Sequence, residues 1–468
     1  MVELIEESNS WKMRKSIVNL AWPAVLRMLL ESIVGTIDII MVGSLGAASL
    51  AAVDVSNRIV FLVVGALTAL TIGSTALVAR YVGANDQQKV NDVISQSVLI
   101  GFLLPLILVV VGFLFADDMM RLMMILMEEV DPIILEEGSI YIKIVFSSMV
   151  FGLPVMVVTA VLQGLGDMKT PLYIMVATNL ANVVGNYILI FGIGFFPQLG
   201  VVGAALGTAF GRLVGAIVSF AVLIKGDTII EVNWVNIKWK FDWKVIKNIF
   251  SIGIPSAVEQ SIRQSSQIIY TAMIAGLGTL TIAANAIIIN MLMIPVMFGF
   301  GFAVAATTLV GQSLGSKKYD LAKAYGKQST YITMVLMSIL SVPMFIWARP
   351  IIKLYTDNPE VVMIAEPVLR VVIFMQPLFA VVMVLKGALR GAGDTKWTMY
   401  ITAIGNWGAR LLLSLLFGYY LNYGFIGFWI GMAGEIIVRM FLLIWRYESD
   451  KWQQIYELKE ERELVADC

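Results

Sequence analysis

The chain has 468 residues, 59% hydrophobic and only 14% charged, and its 33 basic and 33 acidic side chains balance to zero net charge. That composition excludes an ordinary soluble domain and gives a nucleic-acid partner no electrostatic basis. With no histidine and a single cysteine, Cys468, it also excludes intrachain disulfides, His-ligated metals, haem and histidine-dependent catalysis.

Residues 1–14 are acidic and then basic, and lack the apolar core and small-residue cleavage site of a signal peptide. They read as a short cytosolic segment. Residues 16–43 form the first apolar run, long enough to cross a bilayer as a helix. The run nevertheless carries Arg27, Glu31 and Asp38, spaced by four and seven residues so that all three share one helical face. Each would cost about 2.5–3.5 kcal/mol facing lipid, so the stripe faces protein or water. Arg27 and Glu31 can pair with each other. The stripe is either a buried ion-pair set that locks helices together or a substrate or coupling-ion site, and Asp38, which has no local partner, supports the second.

Further apolar runs follow at 50–80, 91–116, 137–164, 172–195 and 201–225, then, after a polar stretch, at 245–275, 283–312, 323–348, 362–389, 397–421 and 426–446. The expected architecture is all-α and polytopic, with twelve transmembrane helices. It divides into an N-terminal lobe of six helices (15–226), a cytosolic linker (227–243), a C-terminal lobe of six (244–447) and a cytosolic tail (448–468). Lysine and arginine crowd one set of connections, from Lys12, Arg14 and Lys15 through Lys238, Lys240 and Lys244 to Lys317 and Lys318. The loops around 44–52, 192–202 and 276–283 have no basic residue. Both termini are therefore expected in the cytosol.

The second half repeats the first. VLQGLGDMKT (161–170) matches ALRGAGDTKW (388–397), LVARYVG (77–83) matches LVGQSLG (309–315), and LAWPAVLRMLLE (20–31) matches IGIPSAVEQSIR (252–263). Two six-span halves joined by a cytosolic linker insert the same way up, as a parallel repeat. Pro23 then aligns with Pro255, Arg27 with Glu259 and Glu31 with Arg263. These four are read as intramembrane salt bridges, either static within each helix or exchanging as the lobes rock.

Asp38 aligns with Tyr270, so the repeat loses its symmetry at the lone carboxylate. An isolated carboxylate in an apolar wall can exchange a proton, bind Na⁺ or bind an organic cation, each displacing the others. The fifth span adds Asn179, Asn182 and Asn186, whose carbonyls suit a hard cation and whose amides equally suit interhelical hydrogen bonds. Thr208 of the sixth span can offer a hydroxyl to the same cluster, giving a Na⁺ ligand set of Asp38, Asn182, Asn186 and Thr208. Glu435 and Arg439 stand four apart and are expected to pair. Lys386 and Arg410 are read as single charges that reach to the cytosolic surface. Met291, Met293 and Met297 crowd the eighth span with Phe298, Phe300 and Phe302. Adaptable methionines suit a promiscuous cavity, for which Met293, Met297 and Tyr270 are the candidate lining. The Gly-Asp segments at 166–167 and 393–394 are tight turns. With no preceding strand and no GK[ST], they are not phosphate loops.

Three readings of function compete. The leading one is a cation-coupled exporter of amphipathic, often cationic organic molecules, lying in the bilayer as a monomer and using Na⁺ or H⁺ with no cofactor. The alternative is a flippase for a lipid-linked saccharide or other polar lipid, which wants a basic cavity for pyrophosphate. An enzyme has neither histidine nor a catalytic motif to work with.

Asp38 within IDIIMVGSLG, the LAAVD and IAANA segments, and the paired LQGLGDMKT and LRGAGDTKW turns together resemble the multidrug and toxic compound extrusion (MATE) family of secondary transporters. The resemblance covers essentially the whole chain. It implies two six-helix lobes in a V, in a prokaryotic inner membrane, exporting drugs against Na⁺ or H⁺ entry. It also implies acidic residues where this chain differs. The NorM-like branch carries a glutamate at the place of Arg263 and an acid at that of Phe379, and the DinF-like branch an aspartate at that of Asn186. Asn182 and Thr208 match the DinF-like pattern. The resemblance leaves Glu31 and Glu259 as candidates for the missing acidic partner.

Overall fold

The computed structural model of the chain describes residues 10–125, 131–194, 196–225 and 241–455. Most of the expected linker, residues 227–240, lies outside the described residues, as do residues 1–9 of the N-terminal segment and 456–468 of the tail.

Among the described residues all regular structure is helical. Lipid offers no partner to a backbone N–H or C=O, so an apolar run must satisfy its own hydrogen bonds, which a helix does. In chain order the elements are α1 (Ser10–Gly43), α2 (Ala47–Gly83), α3 (Gln87–Ile125), α4 (Pro132–Leu165), α5 (Lys169–Phe191) and α6 (Gly200–Lys225). They continue with α7 (Trp243–Ala275), α8 (Thr279–Gly315), α9 (Tyr319–Ile346), α10 (Ala348–Lys353), α11 (Pro359–Ile373) and α12 (Gln376–Gly391). Next come α13 (Thr395–Ala403), a π-helical turn (Ile404–Arg410), α14 (Leu411–Ser414), a second π-helical turn (Leu415–Tyr420) and α15 (Gly424–Glu448).

Nine described helices are long and apolar enough to cross a membrane, counting Thr395–Tyr420 as one, and the bent pair α11–α12 makes a tenth. α1 and α7, at 34 and 33 residues, have the length but carry the charged residues. The expected count of twelve is reached only with these two. The expected single span at 362–389 is a broken one: α11 and α12 meet at 54°. Pro377 explains the break, because it stands in the first turn of α12, where its missing N–H is harmless and its ring prevents continuation of α11.

Turn chemistry fixes the helix ends. At the Gly-Asp turn after α4, Gly166 adopts φ 90° and its N–H bonds back to the carbonyls of Leu162 and Gln163. Asp167 then accepts from the backbone N–H groups of Lys169 and Thr170, both at 3.0 Å, and so caps α5.

The chain forms two compact units. Unit 1 comprises Leu26–Val78 and Asp86–Gly253, and unit 2 the described residues of Val2–Val25, Ala79–Asn85 and Ile254–Cys468. The chain changes unit inside α1 and inside α7, each time within three residues of that helix's proline, Pro23 or Pro255. In unit 1, α3 packs on α4, α4 on α6, and α5 on α6. Its core includes Val53, Phe146, Met149 and Ile190. Leu103, Leu106, Ile107, Val110 and Leu114 project outward from α3 at three- and four-residue spacing, the face expected against lipid. In unit 2, α8 packs against α9 and α12, and α12 against α15. Here the start of α1 lies so close to α8 that any side chain at Gly301 would strike Val25. Such close approach matters because lipid tails are as apolar as leucine, so packing rather than water exclusion holds membrane helices together.

Candidate functional site: two polar centres, one in each unit

In unit 1, Asp38 stands near the end of α1 and is half-buried. Asn186 of α5 donates through Nδ2 to Asp38 Oδ1 at 2.8 Å. One turn earlier, Asn182 donates through Nδ2 to Thr208 Oγ1 of α6 at 3.3 Å. A long contact of 3.5 Å from Asn186 Nδ2 to Asn182 Oδ1 links the two asparagines. The four residues thus form one chain of hydrogen bonds across three helices.

Glycines set that geometry. A Cβ at Gly207 would collide with Asn186, and one at Gly211 with Asn182. Only a helix bare at these positions lets α6 approach α5 closely enough for Thr208 to reach Asn182. Asn186 Oδ1 has no hydrogen-bond partner although it is buried. Asn179 is not joined to the cluster, and its Nδ2 is buried without a partner.

Among the described residues no lysine or arginine lies within ion-pair distance of Asp38. Arg212, within α6, is committed elsewhere: its Nη1 donates to Ser148 Oγ at 2.6 Å and the Val145 carbonyl at 2.9 Å, both on α4. In sequence Arg212 stands out only as a charge within the sixth span that aligns with Arg439 in the repeat. Sequence reading missed Tyr141, whose buried hydroxyl donates to Asn57 Oδ1 at 3.4 Å, because a tyrosine does not interrupt an apolar helical pattern.

The centre in unit 2 is ionic. Glu259 of α7 accepts from Lys386 Nζ at 2.8 Å and Arg390 Nη2 at 3.0 Å, both on α12. It also accepts from Thr398 at 3.1 Å and Thr402 at 3.2 Å, both on α13. Glu435 of α15 lies between Arg410, at 3.0 Å, and Arg439. Arg410 Nη1 further donates to Gln267 Oε1 at 3.0 Å. At the end of α15, Arg446 pairs with Asp394 at 2.7 Å.

Several expectations are corrected here. Glu259 does not pair with Arg263, which instead binds Gln260 Oε1 through Nη2 at 2.7 Å. Four neighbouring groups on α12 and α13 satisfy the carboxylate better than one residue on its own helix. Among the described residues Arg27 and Glu31 do not pair either: Glu31 is exposed, and Arg27 Nε is buried without a partner. Lys386 and Arg410 do not reach to the surface, since each is held by a buried carboxylate. The signal was present in sequence, as Lys386 with Arg390, and Thr398 with Thr402, are i, i+4 pairs converging on one acid. Tyr270 is not a cavity wall. It is 1% exposed, packed edge-on against Phe428 and beneath Arg410. Met293 is exposed and Met297 partly so, on α8. The expected Glu435–Arg439 pair is present.

Comparison with known proteins adds to this geometry. The family model described as MatE matches residues 23–188 and 255–416. A probable multidrug resistance protein NorM from Thermotoga maritima is 29% identical over 96% of this chain and 96% of its own. An uncharacterized transporter, YisQ, from Bacillus subtilis is 27% identical over 94% and 95%. A crystal structure of MATE in complex with MaD3S superposes with a TM-score of 0.86 at 21% identity, covering 94% of this chain and 97% of that one. An outward-facing multidrug resistance MATE transporter of the MOP superfamily gives 0.84 at 20%, with the same coverage. The all-helical membrane fold is that of the MATE crystal structures.

Proposed function

The chain belongs to the MATE family of membrane transporters, and from that premise we propose that it is a secondary antiporter. It exports amphipathic, often cationic organic compounds in exchange for Na⁺ or H⁺ by alternating access of two lobes. The observation that carries this reading is Asp38: a half-buried carboxylate, hydrogen-bonded by Asn186 and without a counter-ion among the described residues. A negative charge so placed in an apolar wall attracts a cation, and the coupling ion and a cationic cargo cannot both hold it.

The donor set favours Na⁺. Asn186 Oδ1 has no partner, so turning the amide over sacrifices no bond at that oxygen. Nδ2 then gives up its bond to the bare carboxylate, and Oδ1 takes its place beside Asp38 as a cation ligand. Asn182 Oδ1 and Thr208 Oγ1 complete a group of hard oxygens. On this reading the chain lies nearer the DinF-like branch, a likeness supported by Asn182 and Thr208, with Asn186 where that branch has an aspartate. An amide there can coordinate Na⁺ but cannot carry a proton. The lysine and arginine distribution puts both termini in the cytosol, and the lobes work as a monomer.

The test is transport by purified protein in liposomes. An inward Na⁺ gradient is expected to drive ethidium outward, and a Na⁺ ionophore to stop it. Movement driven only by a proton gradient would keep the antiport reading and reassign the ion. Movement no faster than from protein-free vesicles under both gradients would overturn it.

A further inference from the structure

The polar centre of unit 2 carries more positive than negative charge. Arg263, Lys386, Arg390, Arg410 and Arg439 face two carboxylates, Glu259 and Glu435. Four of these cations share the two acids. Among the described residues Arg263 has no acid within ion-pair distance: its Nε and Nη2 both converge on the neutral Gln260 Oε1, and no described residue accepts from its Nη1. Cationic side chains inside a membrane protein are expensive unless something negative or wet meets them.

The surroundings of Arg263 are unlike a lipid-facing surface. Gln260, Ser261, Gln264, Ser265 and Gln267 surround it on α7, all at least partly exposed. Against the backbone of the residue before it lies Trp407, in the first π-helical turn, 46% exposed and anchored by a bond from Nε1 to the Ile262 carbonyl at 3.2 Å. π-helical turns re-aim side chains and gather at functional sites. The residue before Trp407, Asn406, is wholly buried, yet neither its Oδ1 nor its Nδ2 has a partner. A free guanidinium edge, an open indole face and an unsatisfied amide therefore lie within one turn of α7 and one turn of the π-helix.

We propose that Arg263 and Trp407 form a subsite in unit 2 for an aromatic carboxylate, either a free aromatic acid or the acidic end of a zwitterionic cargo. The guanidinium fork takes the carboxylate in two parallel hydrogen bonds. The indole stacks on the ring that bears it. The assignment rests on the transport reading, and it names the residues of unit 2 that hold the acidic end of a cargo.

Equilibrium binding to the purified, detergent-solubilised protein tests it, read by calorimetry in a chloride-free gluconate buffer. The probes are 2-naphthoate and its neutral isostere 2-naphthamide. Naphthoate is expected to bind about 10- to 100-fold more tightly than the amide. R263Q is expected to erase that preference, and R263K, which keeps the charge, to restore part of it. W407L is expected to weaken both probes alike. Equal binding of the two probes, or a preference that survives in R263Q, overturns the proposal. Should R263Q not fold, unchanged naphthoate binding by W407L does the same. Because no gradient is involved, these outcomes are independent of whether ethidium moves in vesicles.

Discussion

Asp38→Asn is expected to reduce gradient-driven ethidium export to the level of protein-free vesicles, while leaving the protein as stable as before or more so. The two halves of that expectation have one cause. Asp38 has no cationic partner among the described residues, so it contributes no fixed ion pair, and on the proposed reading its charge serves a mobile cation. The amide has the same shape, and its oxygen can still accept from Asn186 Nδ2. Removing an uncompensated charge from a half-buried place relieves desolvation and strands no counter-ion. Thermal unfolding of the purified variant checks the second half. A transport-dead variant that also melts early would make Asp38 a structural residue, and full export would remove it from the mechanism.

The same carboxylate-to-amide change is expected to have the opposite effect on stability at Glu435. Its side chain is wholly buried, and Arg410 and Arg439 are 5% and 4% exposed. Glu435→Gln leaves two guanidinium groups in a dry bundle with no negative charge between them. Breaking a buried pair in this way costs about 3–5 kcal/mol, because the remaining charge is unpaired and not because the pair was itself so favourable. The expected result is a large drop in melting temperature and in the yield of folded protein. Replacing all three residues together by leucine or methionine is expected to recover most of the loss. A melting temperature unchanged in Glu435→Gln would mean that water reaches this centre freely. Set beside Asp38→Asn, the variant separates a carboxylate that holds helices together from one that is free to serve a passing ion.

Those two roles were partly readable from residue order alone. The lone status of Asp38 was legible because isolation is a local property: no basic residue lies one turn away along α1, and the repeat places tyrosine at the matching position. Asn182, Asn186 and Thr208 were legible for a related reason, since the asparagines share a helical face. The helical character, the turn positions and the closing Gly-Asp motifs followed from apolar run length and turn chemistry. Pairing between helices was not legible. Arg27 with Glu31 and Glu259 with Arg263 have ideal i, i+4 spacing, yet neither pair forms. Such spacing is worth only a few tenths of a kcal/mol on a helix surface. Two cations and two hydroxyls converging from α12 and α13 outweigh it easily. The bend at Pro377 was also overlooked, because the apolar run continues smoothly through a residue whose effect is on the backbone.

The glycine face of α6 is the least conspicuous part of the site and sets its dimensions. Gly207 and Gly211 contribute no chemistry, but their missing side chains let two asparagines of α5 and a threonine of α6 share a space that two ordinary helices would keep apart. Charge at Asp38, amides on α5 and bare backbone on α6 together make a small polar position.

Competition at equilibrium addresses this account most directly. Ethidium binding to the purified protein would be measured across a range of Na⁺ concentrations at fixed ionic strength, and across pH at fixed Na⁺. If one carboxylate serves both cations, the apparent dissociation constant of ethidium rises about tenfold for each tenfold rise in the coupling cation above its own dissociation constant. Sodium affinity must fall reciprocally as ethidium is added. An ethidium affinity that stays constant across every Na⁺ concentration and pH would contradict the account, because the two cations would then occupy separate charges.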